Sequence, residues 1–309
     1  MRRRRKQPVN NDENREIETV LVMDYFALMF RQIFAAMKGD KYCSDNYALW
    51  KSYMLIGKNG DDGIFGYIQK FKPDRIVLAI DEKNNWRKDL YSEYKAHRGA
   101  IRKKSNVNFN EFFPIAEKFL EELQDIFHNI VFLKVPLCEG DDLVAVLSQD
   151  IYPDDKLKKF IIAASDKDFL QLQTNKNVVQ YCPLIKQYRV CSNPDMTKRI
   201  KIIDGDIKDN IPGLKLGVGP AKAEKILKEG LDEFLDSEED MRDRYALNRS
   251  LIDFDYIPDE IRKSIIDAYN AIEVKEVNRS GFFNFFIRNK LAGVAAEFNV
   301  YSRDTDRLI

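Results

Sequence analysis

The run FIIAASDKDF (residues 160–169) ends in two carboxylates, Asp166 and Asp168, although a buried strand has no use for charge. Two more apolar runs finish the same way, VLVMD (20–24) in Asp24 and RIVLAID (75–81) in Asp81. A fourth, NIVFLKVPLCEGDD (129–142), leads to Glu139, Asp141 and Asp142, and GDIKDN (205–210) adds Asp206 and Asp209. Any one of these acids alone reads as a helix cap or a solvated turn. Gathered together they would repel one another strongly unless cations neutralised them. Oxygen donors without histidine or thiolate select hard ions, Mg²⁺ or Mn²⁺. The step Asp166-Lys167-Asp168 suits two neighbouring ions, and two ions about 4 Å apart stabilise the attacking and leaving oxygens of an in-line phosphoryl displacement. The acids do not by themselves name the substrate. Phosphatases of the haloacid-dehalogenase type also end strands in aspartate, but their first motif is DxD, and here Tyr25 and Phe26 follow Asp24.

The elements that must position these acids are legible as well. The four runs are apolar on both faces and alternate with helix-length stretches such as 26–38 and 111–128, a pattern that predicts an α/β fold with a mainly parallel central sheet flanked by helices. Ligands of such sheets gather beyond the carboxyl ends of the strands, where every acid named above falls. Near residue 192 the texture becomes turn-rich and then helical to the end, so the chain divides into a polar arm (1–18), an α/β domain (19–192) and a helical part (193–309). The arm, MRRRRKQPVNNDENREIE, reads as disordered, with Arg2–Lys6 either a bland terminus or a contact for phosphates or a partner protein.

Two segments would hold a nucleic acid. In DNIPGLKLGVGPAKAEKIL (209–227), Gly213, Gly217 and Gly219 precede a helix that Pro220 can open, exposing backbone N–H groups to a phosphate, with Lys222 and Lys225 adding charge. PGLKLGVGPAKA with flanking helices, at about 205–228, resembles the helix-hairpin-helix class of DNA-backbone binders. The second segment is NNWRKDLYSEYKAHRGAIRKKSNVNF (84–109). Read as one helix, it puts Arg87, Tyr91, Lys95 and Arg98 on one face, with Arg102, Lys103 and Lys104 extending the charge. Such cations beside a metal site steer a polyanion and stabilise a pentavalent phosphate, while Tyr91 or Tyr94 could stack on a base.

Composition excludes several classes. The 309 residues carry 50 basic and 50 acidic side chains, so net charge says nothing about partners. Four scattered cysteines without a CxxC pair suit reduced thiols in the cytoplasm, and two histidines leave little for a zinc or histidine mechanism. No apolar run approaches the roughly 20 residues of a membrane span, and polar residues follow the basic start where a signal peptide would be apolar.

Taken in order, VLVMDYF, VLAIDEKNNWRKDLYSEYKAHR, EGDDLVAVLSQ, ASDKDFLQL and GDIKDNIPGLKLGVGPAKAEKIL resemble the 5′-nuclease (flap endonuclease and 5′→3′ exonuclease) superfamily. LIDFDYIPDEIRKSIIDAYN (251–270) is similar to the replication ribonucleases H of T-even phages. The resemblance implies a PIN-like fold with an arch at about 84–113, through which a 5′ single strand passes, and two Mg²⁺ ions that Mn²⁺ can replace. Asp24, Asp81, Glu139, Asp141 and Asp166 would hold the first ion. Asp168, Asp206 and Asp209 would hold the second, and Asp142 would support both. Lys95 would touch the scissile phosphate with Arg87 and Arg98 as basic companions, and a K⁺ ion would sit at the hairpin. Substrates would be DNA flaps, duplex ends and RNA primers in RNA–DNA hybrids, handled by a monomer. The phage enzymes' single-strand-binding protein and sliding clamp would be partners, although MRRRRKQPV offers no residue-level match for the clamp. The competing readings are a structure-specific binding module without turnover, which would lack a metal ligand, and a PIN-type ribonuclease, which has no need of the 84–113 insertion or the glycine hairpin.

Overall fold

The computed structural model describes residues 18–37, 44–153, 158–291 and 293–295. Most of the polar arm and its arginine tract lie outside them. Six strands form one sheet in the order β3-β2-β1-β4-β5-β6. They are β1 (Thr19–Asp24), β2 (Arg75–Ile80), β3 (Ile130–Lys134), β4 (Lys159–Ala163), β5 (Val178–Cys182) and β6 (Gln187–Arg189). The first five are parallel, and β6 returns antiparallel on β5. The central strand β1 pairs with β2 through Val22↔Val77 and with β4 through Leu21↔Ile161. The winding direction therefore reverses beside β1, and the crevice at such a switch point is where open α/β sheets bind ligands.

Alternation along each strand splits the interior into two cores. Leu21, Met23, Ile76, Leu78, Ile80 and Ile161 face one core, while Val20, Val22, Val77, Ala79, Phe160 and Ile162 face the other. Helices α1 (Tyr25–Met37), α2 (Ser44–Ile56), α3 (Ile64–Phe71) and α6 (Phe109–Ile126) cover the first face, and α7 (Gly140–Val146) covers the second. Each fully buried aliphatic side chain contributes about 1.5–3 kcal/mol, so the strands are stiff supports for whatever stands at their ends.

Between β2 and α6 the chain makes two short helices, α4 (Arg87–Leu90) and α5 (Arg98–Lys103), instead of the single helix expected over 84–109. Tyr91 is extended, with φ of −145°, and Lys95 is left-handed, with φ of 57°. The common face expected for Arg87, Tyr91, Lys95 and Arg98 does not form. Beyond the sheet come α8 (Pro194–Asp204), α9 (Pro220–Glu229), α10 (Leu231–Leu235), α11 (Met241–Ile252), α12 (Asp259–Asn270) and α13 (Arg279–Arg288). Helices α8 to α11 build two small cores, one of which also takes in Tyr94 from the segment between β2 and α6. Ile261 and Ile265 of α12 enter the second core of the sheet, and Phe285 and Phe286 of α13 enter the first.

Candidate metal centre

The strand-end acids converge at the switch point. Asp24 closes β1, and one of its oxygens accepts the Ala27 N–H at 2.9 Å, capping α1. Asp81 follows β2 and accepts the N–H of Gly140, the first residue of α7. A Cβ on Gly140 would lie 3.0 Å from that Asp81 oxygen and 3.7 Å from the Asp24 carboxyl carbon. The glycine in EGDD thus lets the first turn of α7 come close to the Asp81 carboxylate, which a Cβ would crowd. Asp141 and Asp142 occupy the first turn of α7, where the helix dipole favours negative charge. Past β4, the turn bearing Asp166 and Asp168 is held by two neighbours. Gln180 of β5 donates to the carbonyls of Ala164 and Asp166, and Arg189 of β6 donates to that of Ser165.

These carboxylates strain against one another. Burial, then the charges of Asp81 and Asp166, push Asp24 up to about 7 from its ordinary 3.8. Asp81 is raised by burial and by Glu139, and Asp141 well above its usual range by burial, Asp166 and Asp24. Glu139 goes the other way, because Lys95 and Arg87 outweigh the cost of its burial. An all-carboxylate set that resists ionising together is the donor chemistry that fits a hard divalent cation.

A second group stands beside the first. Oxygens of Asp168, Asp206 and Asp209 all lie within 4.8 Å of one another, the one group of three acids so tightly gathered among the described residues. Asp206 and Asp209 bracket one 3₁₀ turn, pinned by backbone pairing between Asp206 and Ile211. Burial and Asp166 raise Asp168, whereas on Asp206 the Lys201 hydrogen bond outweighs burial and lowers it. Lys201, on α8, sends its Nζ to both Asp168 and Asp206, 2.6 Å from the latter. Its role is not legible in the sequence, because it sits in MTKRIKIID, which reads as an ordinary solvated basic helix.

Lys95 does reach the acids. Its Nζ lies 2.7 Å from Glu139 Oε1 and 3.7 Å from Asp209 Oδ2, and its N–H donates to the Asp209 carbonyl at 2.9 Å. The left-handed turn at Lys95 makes both contacts possible at once. Arg98 binds Asp209 Oδ1 at 2.8 Å. Arg87 has a different place from the one expected. Its buried guanidinium meets Asp142 at 2.7 Å, Glu139 at 3.4 Å and the carbonyl of Leu251 at 2.9 Å, so it ties α7 to α11 and has no free edge for a phosphate. Asp142, fully buried, also takes the Trp86 indole and the Glu139 N–H, which makes it a support for the acids and not an open ligand. Tyr94 cannot stack on a base here, since its ring is buried and its hydroxyl donates to Glu139 at 2.8 Å. Tyr91 is half-buried against the small core that includes Tyr94. Arg102, exposed, lies over the rings of Phe30, Phe109 and Phe113, and Lys103 and Lys104 are exposed beyond it.

The glycine hairpin joins α8 to α9. Gly213 is dictated by packing, because a Cβ there would meet the Asp204 carbonyl at 2.6 Å. Gly217 has φ of 77° and, like Gly219, faces open space. Gly219 caps α9 without a side-chain bond and Pro220 opens the helix, so the first-turn amides remain available to an anion. Lys222 reaches back to the Gly217 carbonyl at 2.8 Å, and Lys225 is exposed near Glu229.

A sheet with carboxylates crowded at its switch point, followed along the chain by a glycine hairpin between two helices, is an arrangement shared with a class of nucleases. The chain belongs to the 5′–3′ exonuclease family. Residues 19–201 match its N-terminal, resolvase-like domain, and residues 223–301 match the C-terminal domain of T4 RNase H. The ribonuclease H of Enterobacteria phage T4 is 28% identical over 246 residues, which are 74% of this chain and 79% of that protein. The 5′-3′ exonuclease of Buchnera aphidicola is 26% identical over 200 residues, 59% of this chain and 66% of its own. Among solved structures, the bacteriophage T5 flap endonuclease in a pseudo-enzyme–product complex with DNA and metal ions has a TM-score of 0.61. It is 14% identical and covers 82% of this chain and 100% of its own, so the likeness shows a shared fold.

Proposed function

We propose that the chain is a Mg²⁺-dependent 5′ nuclease of the phage type, acting in the cytoplasm of a host cell. It hydrolyses phosphodiesters from the 5′ ends of RNA primers in RNA–DNA hybrids and of duplex or flapped DNA during lagging-strand replication. The observation that carries the reading is the convergence of acids from five separate stretches of chain on one sheet edge, with Asp168, Asp206 and Asp209 within 4.8 Å. Asp24, Asp81, Glu139, Asp141 and Asp166 would hold one cation, and Asp168, Asp206 and Asp209 a second. Bound there, two Mg²⁺ ions supply Lewis-acid stabilisation to the attacking and leaving oxygens of an in-line displacement.

The chain's own residues do the rest. The N–H groups of Gly217, Gly219 and Ala221 and the Lys222 ammonium grip the backbone of the duplex and set its register without reading sequence. The basic segment from Lys95 to Lys104 draws the 5′ strand towards the acids. Lys95, already among them, exchanges Glu139 for the scissile phosphate and stabilises the charge that builds there. Free Cys138, Cys182 and Cys191 accord with a reducing compartment, and none of the described helices is long and apolar enough to cross a membrane.

End-labelled duplex, flap and RNA–DNA hybrid substrates, digested with and without Mg²⁺ and resolved on one gel, test the reading. Short 5′ fragments that appear only with the metal are expected, and Lys95→Ala should slow their formation while substrate binding persists. Metal-independent cleavage, or none on any of the three substrates, would refute it.

A further inference from the structure

Lys201 has no part in the functional reading above, yet it stands where a cation is wanted. Its ammonium lies between Asp168 and Asp206, two of the three acids gathered for the second ion. The side chain is a quarter exposed, so water screens the contact only partly. An oxygen that accepts from an ammonium is not free to ligate a divalent ion on the same side, and two cations within a few ångströms repel. Neighbouring bases on α8 are committed elsewhere. Lys198 is bound to Asp253 at 2.9 Å and Asp255 at 2.8 Å, and Arg199 leans towards Asp195 at 3.9 Å. Lys201 alone on this helix faces the acids.

We propose that Lys201 is a tethered counter-ion that occupies the second cation position in the resting protein and yields it only when the substrate arrives. This inference rests on the two-cation reading and adds an order of events to it. Lysine has a flexible four-carbon stem and a compact charge, so it can leave Asp168 and Asp206 without moving α8. The incoming phosphodiester offers its ammonium a new anionic partner at the same rim. The ammonium's departure uncovers the two carboxylates as the phosphate comes within reach. Second-ion binding and substrate binding then favour each other by the same factor. In the absence of substrate the acids are kept neutralised without a full complement of metal, which spares the fold their repulsion. Lys201 is on this account a positioning residue, acting through Asp168 and Asp206.

The test is a Mn²⁺ titration of the intact protein without nucleic acid, following free Mn²⁺ by electron paramagnetic resonance. Wild type should bind one ion tightly and a second weakly. Lys201→Met and Lys201→Gln, which remove the charge with different polarity, should tighten the second step by about tenfold or more and leave the first unchanged. Lys201→Arg keeps the charge and should behave as wild type. A second step that stays within about threefold of wild type in both neutral variants would overturn the proposal, and so would an arginine variant as tight as they are. Should neither wild type nor any variant bind even one Mn²⁺, the metal reading itself would fall along with it.

Discussion

The strand-end acids and the turn-borne acids solve the same electrostatic problem in different ways. Asp24, Asp81 and Asp141 stand on β1, β2 and α7, whose backbones are fixed by buried side chains on both faces of the sheet. Their positions do not depend on their charge, so the repulsion remains and shows as carboxyls driven upwards. Asp168, Asp206 and Asp209 ride on short 3₁₀ turns and are balanced by Lys201, Lys95 and Arg98. The first set stores strain that a bound cation would relieve. The second is paired with cations, although burial and Asp166 still drive Asp168 upwards, and a bound metal would have to compete with those cations.

If that contrast is right, the first set is the less dispensable. Asp141→Asn should lower the single-turnover rate by on the order of a thousandfold, the loss expected when a cation worth several kcal/mol to the transition state is misplaced. Asp209→Asn, measured in the same assay, should cost less, because it also frees Lys95 and Arg98 from their partner. Equal losses would erase the distinction between the two sets.

Arg87 tests the frame beneath them. Its guanidinium is the main cationic partner of Asp142, and both are buried. Arg87→Met leaves that carboxylate desolvated and unpaired, which should destabilise the fold by about 3–5 kcal/mol in urea unfolding. A loss below about 1 kcal/mol would mean that Asp142 does not depend on Arg87 as its counter-charge.

What could be read in the sequence, and what could not, follows the same division. A strand buried on both faces that ends in aspartate is a local signal, so Asp24, Asp81 and Asp166 were visible from pattern alone. Strands β5 and β6 and the positions of Gln180 and Arg189 were not, because their role is to hold the turn after β4 from across the sheet. The segment 84–109 was misread as one helix. Its propensities permit a helix, but Glu139 and Asp209, far away in sequence, bend it into turns so that Tyr94, Lys95 and Arg98 can meet them. Lys201 escaped for the same reason, since its meaning comes only from partners on two other elements.

The stored strain predicts a pH dependence. Asp24 titrates at about 7 in the folded chain against an ordinary 3.8, so the metal-free fold binds this proton more tightly than the unfolded chain does. Stability from this group is therefore greatest at low pH and declines as pH rises from about 4 through 7. Mg²⁺ needs the ionised form. At pH 6 it must expel from Asp24 a proton that is largely gone at pH 8, which weakens binding by about tenfold. The rise in melting temperature on adding Mg²⁺ should thus be larger at pH 8 than at pH 6. Equal rises would show that the acids do not share a charge problem.

The smallest effect belongs to the hairpin (213–220), which carries none of the clustered acids and whose proposed role is grip without chemistry. Lys222 is exposed, and its one recorded bond is to the Gly217 carbonyl at the mouth of the loop. Lys222→Ala removes one phosphate contact, so duplex affinity should fall by less than about tenfold and the slope of log affinity against log salt by about one. The single-turnover rate at saturating substrate should not change, because no acid loses a partner. A fall in that rate would mean that the hairpin helps to position the reacting phosphate, and the separation between gripping and cutting drawn above would have to be abandoned.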